Sequence, residues 1–405
     1  MILRWSAIFS LFFLHACGGS SNPGTPSIQD TPADTPTTFS VDSDFIYKDG
    51  ARFDLKGVVY VPGQPGYLPW EIEGETSLPA EVISRIDADL AGIKSLGANT
   101  VRLWGAPAYC YEALQTLGGL NILQTIWVDG HVSDFQESAF KAQSKGYIKT
   151  VVDRVYAAYP DNNPPIVAFL VGNELSEGSI VSTNQAHPEI TSYTGNYFIA
   201  ENINASEAFI AEMADYLRTY ESETYGRTSL ISYANEIRTI DFIDTPFLDF
   251  RSQNTYSYAV PFFRPQTLPG SNSGTLYQGW VEELKYRHPD VPLLITETGL
   301  SVSPNAAHLG PPNYGYGGNT EAEQATGILQ NLSDVQSASI AIAGVTVHEY
   351  LDAWWKFGFE DSLSQDPDDI EEWFGMVRLV PDGAGYSTEN RPVYDEVHTV
   401  WGPSN

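Results

Sequence analysis

The stretch "PIVAFLVGNE", residues 165–174, decides the fold because an unbroken apolar run ends abruptly in an amide and a carboxylate. A run of this length that begins at a proline predicts a strand covered on both faces, as in a parallel sheet. A core strand normally ends in turn residues that face water. Asn173 and Glu174 are therefore candidate site residues, which the strand would hold rigidly at its end.

Seven further runs have the same short, apolar, β-rich character. They cover residues 55–62, 99–105, 121–130, 229–236, 247–258, 292–299 and 342–350. Amphipathic stretches with caps or glycine and proline stops separate them, at 79–98, 139–160, 204–226, 274–289 and 320–335, and the tail 391–401 reads as a last helix. Eight strands alternating with helices predict a single α/β (β/α)₈ TIM barrel. A doubly wound open sheet is the competitor, but "YVPGQPGYLPW", at the first strand–helix turn, lacks the GxGxxG signature of that fold.

Two carboxylates end strands in this scheme, Glu174 on the fourth and Glu297, in "ITETG", on the seventh. Active sites of such barrels lie at the carboxyl ends of the strands. Either residue alone could simply pair with Arg102 at the rim of the core. Together they fit retaining glycoside hydrolysis, in which one carboxylate attacks the anomeric carbon and the other protonates the leaving oxygen.

"VGNE" on the fourth strand and "TETG" on the seventh resemble the motifs of clan A glycoside hydrolases, over residues 54–400 in strand order. The resemblance implies a retaining mechanism with Glu297 as nucleophile and Glu174 as acid/base. It also implies that Asn173 bonds the sugar 2-hydroxyl and that Arg102 keeps the nucleophile ionised, since a nearby cation lowers a carboxylate pKa. Tyr256 in "NTYSY" would donate a hydrogen bond to Glu297.

Within that clan, "LKGVVYVPG", "SLGANTVRLW", "NTYSY" and "HEY" resemble β-1,3-glucanases and β-1,3-glucanosyltransferases, with Tyr60 at the tip of the first strand. The resemblance implies an endo-β-1,3-glucanase. The cysteine-rich flank of the transferases is missing, so a β-glucan transglycosylase stays an alternative. Another β-glycanase such as a mannanase, and an inactive glycan-binding surface lipoprotein, are further alternatives.

Aromatic residues follow several of the predicted strands. Tyr350, Trp354 and Trp355 follow the eighth strand, and Trp104 and Trp127 end the second and third. Flat aromatic rings pack on the apolar faces of sugars, so we expect these residues to bind substrate. The Gly- and Pro-rich loop 302–319 predicts an irregular wall, and the acidic run 366–373 a solvated loop.

The net charge of −30 makes nucleic acid an unsuitable partner, because phosphate binding needs basic patches. The scattered histidines have no metal-ligand spacing, so neither a metal nor another cofactor is expected. A polysaccharide or oligosaccharide is the expected partner. Cys110 stands in an apolar context and is expected to be a buried, inert thiol.

The N-terminus resembles a bacterial lipoprotein signal, with Arg4 before a short apolar run and Cys17 after "LHA". We therefore predict a signal peptide at 1–16, a lipid on Cys17 and a flexible, Pro- and Thr-rich linker over 17–40. The catalytic domain would cover 41–405. An ordinary signal peptide with an incidental cysteine is the alternative. The prediction places the protein outside the cytoplasm, tethered to a membrane of the bacterial envelope through Cys17.

Overall fold

The computed structural model describes residues 37–356, 363–383 and 386–402. Eight parallel strands close into a barrel in chain order, and the eighth pairs with the first. The strands are β1 (Leu55–Tyr60), β2 (Thr100–Leu103), β3 (Asn121–Ile126), β4 (Ile166–Asn173), β5 (Leu230–Glu236), β6 (Arg251–Asn254), β7 (Leu293–Thr298) and β8 (Gly344–Val347). The predicted (β/α)₈ barrel is confirmed, and the open doubly wound sheet is wrong.

Helices cover the outside of the barrel and bury the apolar face that the sequence predicted. They are α1 (Ala80–Ser95), α2 (Ala108–Leu117), α3 (Ser138–Ala157), α4 (Ala205–Tyr225), α5 (Leu276–Arg287), α6 (Glu321–Ser337) and α7 (Pro392–Trp401). α4 begins with an Asn204–Glu207 capping box and ends at Gly226 in the left-handed conformation. Residues 237–250, between β5 and β6, contain no helix.

Every strand residue of β2 through β7 is buried, which explains the long apolar runs of the sequence. Side chains that face the helices form the larger core cluster, which includes Val58, Val101 and Phe169. A smaller cluster inside the barrel includes Leu55, Leu123 and Leu294. The barrel is therefore filled with side chains and can support a site at its carboxyl end.

Several small sheets and short helices are added to the barrel. A three-stranded sheet, Phe39–Val41, Ile46–Lys48 and Ala51–Arg52, precedes β1, and its Ile46 belongs to the inner cluster. Hairpins lie at Ser192–Thr194 with Ile199–Glu201 and at Val377–Pro381 with Tyr386–Asn390. Short helices cover Pro69–Ile72, Glu177–Ala186 and Val260–Phe263, with a 3₁₀ turn at Ile370–Trp373.

The predicted signal peptide, the lipidation site Cys17 and most of the predicted linker lie outside the described residues. The first described strand begins at Phe39. In the part of the chain that the structure describes, no helix is both long and apolar enough to cross a membrane.

Candidate active site

A β-bulge stands immediately before each of the two candidate carboxylates. Along β4, Leu170 and Asn173 pair with Ser232 and Ala234, so β4 holds one extra residue around Gly172. Along β7, Ile295 and Glu297 pair with Gln253 and Asn254, which again leaves one extra residue. Bulges re-aim side chains and are frequent beside active sites. They explain how neighbouring residues at the end of one strand can face the same site.

The backbone at the end of β4 adopts conformations that most residues avoid. Gly172 has φ +89°, which its missing Cβ permits, and Glu174 has φ +47°. A left-handed non-glycine residue costs about 1–2 kcal/mol, so the surrounding fold must hold it there. The strain belongs to the residue that the sequence singled out as catalytic.

Glu297 lies 3% exposed at the end of β7 and is held from two sides. Arg102 Nη1 donates to its Oε1 at 2.7 Å, and Tyr256 Oη donates to its Oε2 at 2.5 Å. Arg102 itself is fully buried, where its charge is compensated by this ion pair. The contacts predicted for Arg102 and Tyr256 are therefore present in the structure.

Glu174 stands in a different environment. Asn254 Nδ2 donates to its Oε1 at 2.8 Å, and it has no ion pair among the described residues. Burial, followed by the negative charges of Glu297 and Glu236, raises the pKa of Glu174 well above its usual range. The two carboxyls have such different partners that they suit different roles. Glu174 suits a role that needs a proton, and Glu297 suits a role that needs a negative charge.

The amide of Asn173 is oriented by two donors. Its Oδ1 accepts from Arg102 Nη2 at 2.7 Å and from Asn254 Nδ2 at 3.1 Å. The amide nitrogen is therefore left to donate into the cleft that Asn173 lines. Asn254 is not among the residues predicted from the sequence. It donates to both Asn173 and Glu174 and accepts from Arg102 at 3.3 Å.

A second group of buried charges lies beside Glu297. His348 follows β8, and Lys356 Nζ lies 3.0 Å from its Nε2 and 2.8 Å from Glu349 Oε1. Burial raises the pKa of Glu349 to about 7. Burial, with the charges of Lys356 and Arg102, lowers the pKa of His348 well below its usual range. His348 and Lys356 are not among the residues predicted from the sequence, although "HEY" lies on the predicted eighth strand.

Glu236 is the last residue of β5, much as Glu174 directly follows β4, and Glu236 also lines the cleft. Arg238 Nε donates to its Oε2 at 2.6 Å. Burial raises the pKa of Glu236. The run "SLISYANE" carried the same signal as "FLVGNE", a carboxylate after an apolar strand, so this residue could have been found from the sequence.

The cleft above these residues has a volume of ≈1720 Å³, larger than the usual range of about 300–1,000 Å³ for small-molecule sites. Trp104, Trp127 and Trp355 line it, as predicted, and so does Trp70, which meets Trp355 edge-to-face at 6.0 Å. Exposed Phe262 and Phe263 line the side next to β6. Aromatic surface therefore borders the cleft on both sides of the two carboxylates.

Three predicted substrate-binding residues do not line the cleft. Tyr60 is 1% exposed and donates to Asp89 of α1, and Tyr350 packs edge-to-face on Tyr60 at 6.1 Å. Trp354 is buried against Tyr386 of the C-terminal hairpin. The structure therefore does not bring these three residues to the cleft as expected: Tyr60 and Tyr350 pack toward α1, and Trp354 packs on the hairpin.

The loops are partly as predicted. Residues 302–319 contain no helix or strand, and Leu309, Asn313 and Tyr316 from this loop line the cleft. The acidic run 366–373 is not simply a solvated loop. It includes a 3₁₀ turn, and Glu371 lines the cleft, where it accepts from Tyr316 and lies 3.5 Å from Lys356 Nζ.

Cys110 is buried in α2, as predicted, and burial raises the pKa of its thiol. Within the described ranges, no group of three or more His, Cys, Asp or Glu side chains is arranged to hold a metal ion.

Fold and site together define a (β/α)₈ barrel with two differently supported glutamates at the ends of β4 and β7. No family model matches the chain, and no curated protein matches it in sequence. Solved structures do match in fold. Bacteroides uniformis β-glucuronidase 2, covalently bound to cyclophellitol-6-carboxylate aziridine, is 16% identical, with a TM-score of 0.61.

Two further matches are a GH2 β-galacturonidase from Eisenbergiella tayi bound to galacturonate and the Ruminococcus gnavus β-glucuronidase. They are 17% and 14% identical, each with a TM-score of 0.58. The three alignments cover 90–91% of this chain but only 38%, 54% and 54% of those structures. The likeness establishes a barrel fold shared with glycoside hydrolases. These structures are not β-1,3-glucanases, so that specific resemblance stays a prediction.

Proposed function

We propose that the protein is a retaining β-glycoside hydrolase with Glu297 as nucleophile and Glu174 as acid/base. The observation that carries the proposal is the unlike support of the two carboxyls. Arg102 and Tyr256 compensate the negative charge of Glu297, whereas the pKa of Glu174 is raised. The fold matches are glycosidases by name, which supports the same class.

The proposed reaction has two displacements. Glu297 attacks the anomeric carbon while the glycosidic bond breaks, and the proton of Glu174 passes to the leaving oxygen. A water molecule then gives a proton to Glu174 and attacks the glycosyl–enzyme bond, which releases Glu297. The nitrogen of Asn173 faces the cleft and would donate to the sugar 2-hydroxyl, a contact that strengthens in such transition states.

We propose a neutral β-glucan, first of all a β-1,3-glucan, as the substrate, rather than a uronide. Apart from the catalytic pair, the cleft is lined by four carboxylates and two cations, and each cation lies against one of those carboxylates. These are Glu73, Asp129, Glu236 and Glu371 with Arg238 and Lys356. Because both cations already lie against carboxylates, the described lining offers no uncompensated positive charge to a sugar carboxylate, so the uronic substrates named for the fold matches suit this cleft poorly.

A panel of β-linked glucans, mannans, galactans and glucuronides, assayed for reducing ends, tests the substrate. We expect release from a neutral glucan and none from glucuronides. Elongated products at high oligosaccharide concentration would indicate transglycosylation instead. Binding without any release across the panel would contradict the enzyme and favour a glycan-binding protein.

Glu174→Ala and Glu297→Ala test the two roles. Glu174→Ala should lose about 10²–10⁴-fold in kcat/KM on poor leaving groups but much less on activated aryl glycosides, because acid assistance matters less for them. Added azide should yield a glycosyl azide of retained configuration with Glu174→Ala. Glu297→Ala should lose turnover, and azide should give only the inverted product. Wild-type activity in Glu297→Ala would refute the assignment.

We also propose that the protein is exported and tethered to the bacterial envelope by a lipid on Cys17. The support is the sequence alone, a charged start, a short apolar run and Cys17 before a flexible segment. Cys17→Ser should move the protein from the membrane fraction to the soluble fraction. An unchanged distribution would contradict lipidation.

A further inference from the structure

His348 carries a buried nitrogen that has no hydrogen-bond partner among the described residues. The side chain is 2% exposed and lines the cleft beside Glu297. Its Nδ1 lies 3.8 Å from Glu297 Oε2, beyond hydrogen-bond distance, and nothing else in the described structure bonds it. Buried polar atoms are nearly always paired, so an unpaired nitrogen in a side chain that lines a cleft points to a ligand.

Lys356 determines which nitrogen of the ring holds the hydrogen. Its Nζ lies 3.0 Å from His348 Nε2, and an ammonium group can only donate, so Nε2 must accept. Although burial acts against it, the carboxylates of Glu349 and Glu371 raise the pKa of Lys356 and keep it charged. His348 is neutral, and its single hydrogen is therefore on Nδ1.

Three aromatic side chains pack around the imidazole ring and restrict its rotation. Trp104 stacks on His348 with ring centroids 5.6 Å apart and an interplanar angle of 27°. Phe374 and Tyr256 meet the ring edge-to-face at 5.3 and 6.2 Å. The donor is thus fixed in direction before any ligand binds, which lowers the cost of binding one.

We propose that His348 Nδ1–H donates a hydrogen bond to a hydroxyl of the sugar ring held at Glu297, with Lys356 as the positioning residue that fixes the tautomer. The inference rests on the proposed function, since it takes a sugar as the ligand. A neutral hydroxyl oxygen suits this donor, because it accepts the bond without adding negative charge near Glu297. Asn173 would supply a second donor from β4.

Analogues that lack one hydroxyl at a time test the contact. The probe is the 4-nitrophenyl β-glycoside of the sugar selected by the substrate panel, with its monodeoxy derivatives at the ring next to the aryl group. For wild type, one deoxy position should lower kcat/KM about tenfold because a buried donor loses its partner. In His348→Phe, which cannot donate, that same deletion should cost no more than twofold.

His348→Asn and Lys356→Met separate donation from packing. The side-chain nitrogen of Asn can take the place of Nδ1, so His348→Asn should recover the hydroxyl dependence that His348→Phe loses. In the protein that keeps His348, Lys356→Met should weaken the dependence of kcat/KM on that hydroxyl. In the His348→Asn protein, Lys356→Met should leave the dependence unchanged, because an asparagine has no tautomer to fix. Thermal unfolding of each variant checks that it is folded.

His398→Asn, at an exposed position of α7, is the matched control and should keep the wild-type pattern. Identical deoxy penalties in wild type and His348→Phe would overturn the assignment of His348. Equal effects of Lys356→Met in both backgrounds would overturn its role as a positioning residue. Absence of turnover across the whole panel would overturn the proposed function as well, which distinguishes the two failures.

Discussion

The charge of Glu236 should contribute to the upper pH limit of activity. As the acid, Glu174 works while protonated, so activity falls as pH rises through its pKa. Burial raises this pKa first, and the negative charges of Glu297 and Glu236 raise it further. Glu236→Gln removes one of these charges, which lowers the pKa of Glu174 and should move the alkaline limb of kcat/KM to lower pH. A pH profile measures the shift.

Glu396→Gln is the matched control for that profile. Glu396 is exposed on α7, so its loss removes the same formal charge away from the cleft and should leave the limb in place. If the alkaline limb of kcat/KM does not move in Glu236→Gln, or moves to higher pH, Glu174 is not the acid.

Among the elements, the end of β4 depends on the bulge at Gly172. An alanine at this position would have to adopt φ +89°, and its Cβ would lie 3.4 Å from the ring of Tyr233. Gly172→Ala should therefore lose about 1–2 kcal/mol of unfolding free energy. It should also lower kcat/KM at least tenfold, because a shift of about 1 Å in a catalytic group can cost 10²-fold.

Gly226→Ala provides the comparison. Gly226 ends α4 at φ +66° with no atom within 4 Å of an added Cβ, so it carries a similar backbone penalty far from the chemistry. Urea unfolding should give similar losses for both variants, and only Gly172→Ala should lose activity. Full activity in a destabilised Gly172→Ala would show that the bulge does not position Glu174.

The strands could be predicted from the sequence, whereas the direction of the side chains at their ends could not. A parallel sheet covered on both faces needs long apolar runs, and these mark the chain plainly. A one-residue shift reverses which way a side chain faces, and neither the bulges nor the register can be seen in the sequence. For this reason the predicted positions of Glu174 and Glu297 at strand ends agree with the structure, whereas Tyr60 and Tyr350 do not reach the cleft as expected.

Residues from loops were the other part of the site that sequence patterns did not reveal. Lys356 and Glu371 reach the cleft from the segments after β8, and no periodicity places a loop residue in space. Asn254 was hidden for a different reason. It is the first residue of the motif "NTYSY", from which the predicted role was given to Tyr256.

Tyr60 connects β1 to α1 and should matter for stability instead of activity. Its hydroxyl donates at 3.1 Å to Asp89, which also pairs with Arg85 at 2.7 Å. Tyr60→Phe should lose about 1–3 kcal/mol of unfolding free energy because a buried carboxyl loses a donor. Urea unfolding measures this loss, and kcat/KM should stay within twofold of wild type.

The stability loss in Tyr60→Phe should depend on pH, in a direction that follows from the pKa of Asp89. Burial raises the pKa of Asp89 to about 6, so the folded protein binds a proton that the unfolded chain has lost, and Asp89 costs stability as pH rises toward 6. Tyr60 favours the charged form, so its loss should cost more at pH 8 than at pH 5. Tyr286→Phe, at an exposed position of α5, should change neither quantity. Reduced activity in Tyr60→Phe would restore the sequence prediction.

At the scale of the whole molecule, the strands are neighbours in chain order around the barrel, so this order determines which residues lie on each side of the cleft. Trp127 follows β3 and Phe262 follows β6, so the two aromatic borders lie on different sides of the carboxylates. Trp127 is 47% exposed and Phe262 78% exposed, which is costly unless a ligand covers them. A polymer that crosses the cleft would cover both, whereas a single sugar at Glu297 would not.

Trp127→Ala and Phe262→Ala test whether a polymer crosses the whole cleft. An aromatic contact is worth about 0.5–1.5 kcal/mol, so each variant should lower kcat/KM on the polymer about 2- to 10-fold. The aryl glycoside of a single sugar should be affected less than twofold by Phe262→Ala. Exposed Leu268, which does not line the cleft, gives the control Leu268→Ala. If neither aromatic variant changes polymer cleavage, the substrate occupies only the centre of the cleft, and internal cleavage of a chain would be refuted.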